Sequence, residues 1–389
     1  MSLINTTAEL ERFVADLAGQ PYVTIDTEFM RDRTYYAQLC LVQLGGAQGA
    51  IAVDTLAEGL HLEPLYQLLT DERILKVFHA PRQDLEIFQQ MAGRLPRPLF
   101  DTQLAAMVLG FGDEIGYEAL VREVAGANLD KSARFTDWSR RPLSTKQIDY
   151  ALGDVVHLRV IYEKFSRSLA ERGRSGWVDE ELAALLEPRL YEPEPDDMWR
   201  RLKVKTRDPR FLAVLQGVAA WREREAQRKD LPRNRILRDD VLLDLVVHRP
   251  RSVPALKELK RLQLDNRSAE TIVAIVNEAV DLPPERCPQL PPVQRLPKGI
   301  GPLVDLLKVL LRLASERHDV AQRLIATTSD LEQIAADDDA DVPALKGWRR
   351  EVFGEEALAL KRGELALRAR GKRVEVLMTP PERAAKLGS

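Results

Sequence analysis

The residues of this sequence best suited to chemistry are carboxylates that recur at strand and helix spacings. In Tyr22-Val23-Thr24-Ile25-Asp26-Thr27-Glu28-Phe29, the alternation of strand side chains puts Asp26 and Glu28 on one face and Val23, Ile25 and Thr27 on the other. Neighbouring carboxylates repel unless they are protonated, solvated or bridged by a cation. A strand with one wet face satisfies that condition as well as a metal site does. A further acid, Asp84, lies in Val77-Phe78-His79-Ala80-Pro81-Arg82-Gln83-Asp84-Leu85-Glu86. There an apolar strand ends near His79, Pro81 is placed to begin a helix, and Asp84 falls in the first turn. An acid in that position also answers the helix dipole without any chemistry. In the run from Ser144 to Asp154, Ser144 and Gln147 make a capping box after Pro142, and Tyr150 and Asp154, four apart, share a helix face. Tyr beside Asp is equally a plain hydrogen-bonded pair. Asp101-Thr102 reads as the cap of a helix beginning near Gln103.

The elements that must bring these residues together are legible in local patterns. Thr6 with Glu9 has capping-box spacing and opens a first helix. Short β-rich runs follow over 22–29, 36–44 and 50–54, the last two separated by the hairpin-like break Gly45-Gly46. From Leu62 to about Ser168 helical patterns dominate, interrupted by the apolar run Ile74–His79. Strands first, then strands alternating with helices, predict an α/β domain with a mixed sheet over residues 1–186. Residues 187–204 open on a stretch rich in proline and acid and read as a linker.

The remaining half is helical and repeats itself. Val253-Pro254-Ala255-Leu256-Lys257 recurs as Val342-Pro343-Ala344-Leu345-Lys346 at an offset of 89, and at that offset Asp230-Leu231 faces Asp319-Val320. This predicts two similar helical modules, 205–285 and 290–372, separated by a stretch from Asp281 to Pro297 with six prolines. A tail, 373–389, carries the run Val374-Glu375-Val376-Leu377-Met378, which is able to add a strand.

The bulk properties limit the function classes. A chain of 389 residues exceeds one typical core, and 45% apolar with 30% charged residues is a soluble globular composition. No basic start followed by an apolar stretch opens the chain, and no run approaches the ~18 apolar residues of a membrane span. A cytoplasmic protein is expected, with Cys40 and Cys287 as reduced thiols. The net charge of −3 hides an asymmetry: 19 Lys and Arg against 27 Asp and Glu over 1–186, a balance of −8, but 19 against 11 over 200–280, a balance of +8. An acidic region followed by a basic one fits a metal-binding centre with a separate phosphate-attracting module, and it also fits solvated helix faces. His61, His157, His248 and His318 lack zinc-like spacing. No Gly-x-x-x-x-Gly-Lys-Ser/Thr loop is present, so a helicase reading has no motor behind it, and no nucleotide cofactor is expected.

Taken together, Asp-x-Glu on a strand, a distant Asp after a histidine, and a late Tyr-x-x-x-Asp resemble the DEDD exonucleases of the tyrosine type. The surrounding Thr34-Tyr35-Tyr36, Gln38-Leu39-Cys40-Leu41-Val42-Gln43-Leu44, Thr136-Asp137-Trp138 and Arg141-Pro142-Leu143 are similar to the ribonuclease D family through most of residues 1–180. The helical modules resemble the HRDC domain, the second copy having drifted. The resemblance implies a ribonuclease H-like α/β exonuclease domain followed by two all-α HRDC-like domains, acting on RNA with a single-stranded 3′ end, transfer RNA precursors among them. An enzyme acting on single-stranded DNA and a non-catalytic RNA-binding scaffold are the competing functions. A monomer is expected.

By the same resemblance, Asp26, Glu28 and Asp154 would hold one ion, and Asp26 with Asp84 a second. Tyr150 would orient the attacking water, since a phenol of ordinary pKa of about 10 is no base at neutral pH. An all-oxygen donor set suits Mg²⁺ or Mn²⁺, and two such ions about 4 Å apart serve both ends of a phosphodiester displacement. Phe29 could wedge against the terminal base or be a core aromatic. His79 could approach a phosphate or be a buried, hydrogen-bonded histidine. Arg233, Arg235 and Arg238, with Lys257, Lys260 and Arg261, are candidates for phosphate contacts that hold RNA without reading sequence.

Overall fold

The computed structural model describes residues 3–129, 133, 136–259, 262, 264–290 and 296–379. Strands β1 (Leu3–Ile4), β2 (Tyr22–Met30), β3 (Gln38–Gly46), β4 (Gly49–Val53), β5 (Leu75–Phe78) and β6 (Leu99–Asp101) form one mixed sheet in the order β1-β4-β3-β2-β5-β6. The short connections of β2, β3 and β4 give antiparallel pairs, whereas β5 and β6 run parallel to β2. Around the sheet lie α1 (Thr7–Leu17), α2 (Glu63–Thr70), α3 (Arg82–Ala92), α4 (Thr102–Val108), α5 (Tyr117–Leu120), α6 (Thr145–Glu171) and α7 (Ser175–Leu185). The central strand β2 is apolar on its inner face, where Val23 and Ile25 are fully buried. Strand β6, three residues long, is too short to show a period and is not foreseen in the sequence.

Two features of the sheet bear on the site. Glu28 faces Leu41 while Phe29 faces Leu39, so Cys40 is an extra residue in β3 and the ladder bulges beside Glu28. Helix α6 packs across β2, β3 and β4, and at Gly45 the approach is so close that a Cβ would stand 2.3 Å from Thr24 Oγ1 and 3.1 Å from the Val155 carbonyl.

The helical half contains two successive groups of helices. The first module holds α8 (Pro209–Lys229), α9 (Arg233–Ile236), α10 (Asp239–His248), α11 (Val253–Lys257) and α12 (Asn266–Asp281). The second holds α13 (Gly301–His318), α14 (Gln322–Ile325), α15 (Thr328–Ala336), a 3₁₀ turn at Pro343–Leu345, α16 (Gly347–Arg349) and α17 (Glu355–Lys361). Helices α8 and α13 end on left-handed aspartates at equivalent positions, Asp230 and Asp319.

Three features of the domain organisation differ from the sequence reading. Residues 187–204 are not a bare tether: they form 3₁₀ turns at Pro188–Leu190 and Pro195–Arg201, and Trp199, 1% exposed, belongs to the core of the first module. Strand β8 (Arg373–Met378) pairs with β7 (Leu365–Arg370) in a hairpin. A division at 372 would therefore cut through its turn. The second module is also not a separate body, because its core is continuous with that of the α/β domain. Trp348 stacks on Trp177 at 4.3 Å and 10°, and buried Arg349 pairs with Glu180 and Glu181 of α7.

Candidate active site

Strand β2 presents Thr24, Asp26 and Glu28 to the underside of α6. Helix α6 starts at a complete capping box, Ser144 with Gln147. Its entry is tied to the sheet by Arg141, which grips both oxygens of buried Asp54 at 2.6 and 2.7 Å and also the carbonyls of Trp138 (2.7 Å) and Cys40 (2.8 Å). The Cys40 carbonyl is the one the bulge releases. Trp138 in turn lies 6.2 Å from the ring of Tyr150. The motif residues around 138–143 thus set the start of the helix that carries Tyr150 and Asp154.

Two hydroxyls hold α6 at the level of the site. Thr24 donates to the Val155 carbonyl at 2.8 Å, and Tyr117 donates to the carbonyl of Asp154. Carboxylate oxygens of Asp26, Glu28 and Asp154 then lie within 4.8 Å of one another. Asp84 stands outside that group of three. Buried in the first turn of α3, it accepts the hydroxyl of Thr27, the residue between the paired acids, and feels the charge of Asp26.

Loss of water raises Asp26 to about 6, and the same loss, with Asp26 as neighbour, raises Asp84 to about 8. A backbone hydrogen bond at Thr27 and the Thr27 hydroxyl oppose these shifts, where a basic side chain would do so far more strongly. Gln43 faces Asp26 across the ladder, is fully buried, and has no partner for either amide atom among the described residues. Crowded carboxylates beside an unpaired amide fit a hydrated, hard divalent cation, which would supply the missing positive charge.

Asp26 and Asp154 open onto a cleft of about 340 Å³ also lined by His79, Gly116, Tyr117, Glu118 and Tyr150. His79 is half-buried. Its Nδ1 lies 3.0 Å from Thr102 Oγ1, it is also bonded to the backbone of Ile115, and burial pulls it down to about 4, so it is a neutral wall residue. Phe29 packs against the main core. Asp101 caps α4 and accepts the backbone N–H groups of Ala80 and Gln103, each at 2.8 Å.

The basic candidates scatter. Arg233 is committed to a buried carboxylate: it forks onto Glu223, 1% exposed, and stacks over Tyr35 at 5.0 Å, joining the first module to the α/β domain. Arg238 pairs with Asp240. Arg235 and Lys257 are exposed, Lys257 bonding Asn266 at 3.2 Å. Lys260 and Arg261 lie outside the described residues. Thr24, Thr27, Gln43 and Tyr117 escaped the sequence reading, because isolated hydroxyls and amides carry no spacing signal.

A mixed sheet with Asp-x-Glu on its central strand, facing a helix that carries Tyr and Asp, defines a 3′-5′ exonuclease domain. Residues 1–170 match the family model of that description, and residues 211–276 match that of the HRDC domain. The chain belongs to the ribonuclease D family. It is 51% identical to Ribonuclease D of Nitrobacter hamburgensis over 370 residues, covering 94% of this chain and 97% of the other. It is 50% identical to Ribonuclease D of a Jannaschia species over 382 residues, covering 96% and 98%. Among solved structures it is similar to Escherichia coli RNase D, an exoribonuclease involved in structured RNA processing, with a TM-score of 0.77 and 31% identity over 92% of this chain and 98% of that one. The catalytic core of RRP6 from Trypanosoma brucei shares the fold, with a TM-score of 0.54 and 21% identity over 72% of this chain and 79% of that one.

Proposed function

We propose that this exonuclease removes nucleoside 5′-monophosphates from single-stranded 3′ ends of RNA, transfer RNA precursors among its substrates, by hydrolysis assisted by two divalent ions. The observation that carries the proposal is the convergence of Asp26, Glu28 and Asp154, of which Asp26 and Asp154 line a cleft together with Tyr150. Asp26, Glu28 and Asp154 would hold one ion, and Asp26 with Asp84 the other. Such ions, when bound, lower the pKa of an attacking water and screen the departing 3′ oxygen. Tyr150 orients that water by hydrogen bonding. Tyr117 and Thr24 keep α6 at the height at which Asp154 meets the strand.

Exposed Arg235 and Lys257 hold RNA by its phosphates. The second module is a diverged copy of the HRDC domain, as the matched turn at Asp230 and Asp319 supports. Among the described residues no helix is long and apolar enough to cross a membrane.

The test compares release of AMP and dAMP from matched single-stranded oligomers, with Asp26→Asn as control. Release of AMP that the variant loses by about 10³-fold or more, with RNA binding kept, is expected. Preference for DNA, or an unchanged rate in the variant, overturns the proposal.

A further inference from the structure

Both helical modules meet the nuclease domain through the same corner of the repeat. In the first copy, Asp230 Oδ1 accepts the backbone N–H groups of Tyr35 and Tyr36, each at 3.0 Å. Those residues lie in the loop after β2, the strand of Asp26 and Glu28. In the second copy, the corner at 319–323 sits on the end of α4 and on the loop 109–116 that follows it and runs into α5 and Tyr117. Ala321 donates its N–H to the Met107 carbonyl at 2.9 Å. Arg323 donates its backbone N–H to Asp113 at 3.3 Å and pairs its guanidinium with Glu114. Arg174 bridges the carbonyls of Val108 (3.0 Å) and Asp319 (3.2 Å). Gly110 is pressed so near that a Cβ would stand 2.9 Å from the Asp319 carbonyl oxygen.

The loop needs such support. Gly110, Gly112 and Glu114 take φ values of 86°, 89° and 52°. Glycine adopts that region freely, but glutamate does not, and Glu114 is the residue Arg323 holds. Immediately beyond, Ile115 bonds His79, Gly116 and Tyr117 line the cleft, and the Tyr117 hydroxyl reaches the carbonyl of Asp154.

We infer that the second module is a brace for the catalytic cleft: its Asp319–Arg323 corner holds the 109–116 loop in the course that delivers Tyr117 to the Asp154 helix. The module therefore governs turnover through a positioning residue. The kinetic part of this inference rests on the proposed nuclease reading; the holding of the loop does not.

The full chain carrying Ala321→Pro tests it. Ala321 has φ −57° and ψ 131°, and the equivalent position of the first copy is already a proline, Pro232, at −53° and 140°. The substitution thus keeps the backbone while replacing the N–H with a ring carbon against the Met107 carbonyl. Tyr117→Phe removes the hydroxyl alone. On a short RNA oligomer, Tyr117→Phe is expected to lower kcat about tenfold and Ala321→Pro about three- to tenfold, with KM nearly unchanged. The double variant is expected to be no slower than Tyr117→Phe, because both act through one contact. Amide exchange over 109–118 should quicken about tenfold or more in Ala321→Pro, and Arg323→Ala should show the same changes more weakly if the proline variant fails to fold.

Multiplying defects in the double variant, or a raised KM with intact kcat, would overturn the brace and assign the module to RNA binding. Unchanged exchange over 109–118 would overturn it whatever the activity. If the unaltered protein releases no nucleotide, the nuclease reading falls and the exchange measurement alone decides the brace.

Discussion

Carboxylates crowded beneath one helix are a liability until a cation joins them. Asp26 and Asp84 are both driven upward by lost water, and Asp84 also by the neighbouring charge of Asp26, which favours their protonated forms wherever no cation is bound. An ion that binds the folded chain stabilises it by mass action. Millimolar Mg²⁺ or Mn²⁺ should raise the thermal midpoint by a few degrees, about 1–2 kcal/mol. Asp154→Asn should abolish that rise in a melting experiment. An equal rise in the variant would place the ions elsewhere.

His79 gives a second prediction, with a different sign structure. Its folded value of about 4 lies below the ordinary 6.5 because burial disfavours the imidazolium. Between those values the unfolded chain binds the proton and the folded chain does not, so this residue's contribution is intact above 6.5 and is lost as pH falls toward 4. Urea melts at pH 5 and pH 7 should differ less in His79→Asn than in the parent. The His79 ring resonances should show no titration between pH 6 and 8.

At the scale of elements, the sheet is held by buried polar anchors as well as by its apolar faces. Lys76 in β5 is fully buried, and its ammonium donates to the carbonyls of Asp71 (2.7 Å), Ile74 (2.6 Å) and Arg97. Burial draws it down to about 8, yet three acceptors for three protons favour the charged form, so we take it as an ammonium at neutral pH. Lys76→Met fits the space but removes the shared donor of those carbonyls, though that of Asp71 keeps the backbone N–H of Ile74, and should destabilise by about 2–4 kcal/mol in urea unfolding. Arg141 anchors α6 in the same manner. Arg141→Ala strands the buried carboxylate of Asp54 and should destabilise by about 2–3 kcal/mol, while lowering kcat through displacement of Tyr150. A variant with parental stability and turnover would show that α6 is positioned without this anchor.

At the scale of the whole molecule, the two modules differ in whether they share a hydrophobic core with the nuclease domain. The first has its own core around Trp199, Leu215 and Leu242, and joins the nuclease domain by the polar cluster of Tyr35, Glu223 and Arg233. The second shares one core with the nuclease domain. Calorimetry should therefore resolve two transitions, with the second module melting together with the nuclease domain. Trp177→Ala, which removes the stack on Trp348, should lower that joint transition alone, by about 3 kcal/mol. Three independent transitions would contradict the shared core.

Much of this was open to reading before any fold was known. Strand alternation put Asp26 beside Glu28, helical spacing put Tyr150 above Asp154, and the offset of 89 related Asp230 to Asp319, each of which ends a helix in the left-handed conformation. Those are local facts, set by backbone periods of two and 3.6 residues. What no period encodes is partnership between distant segments. That Thr27 would hold Asp84, that Tyr117 would hold Asp154, that Gln43 would lie unpaired against Asp26, and that Arg233 would be claimed by Glu223 each required the sheet order and the packing of α6. These pairings depend on which surfaces exclude water together, a property of the assembled core that a one-dimensional string does not carry.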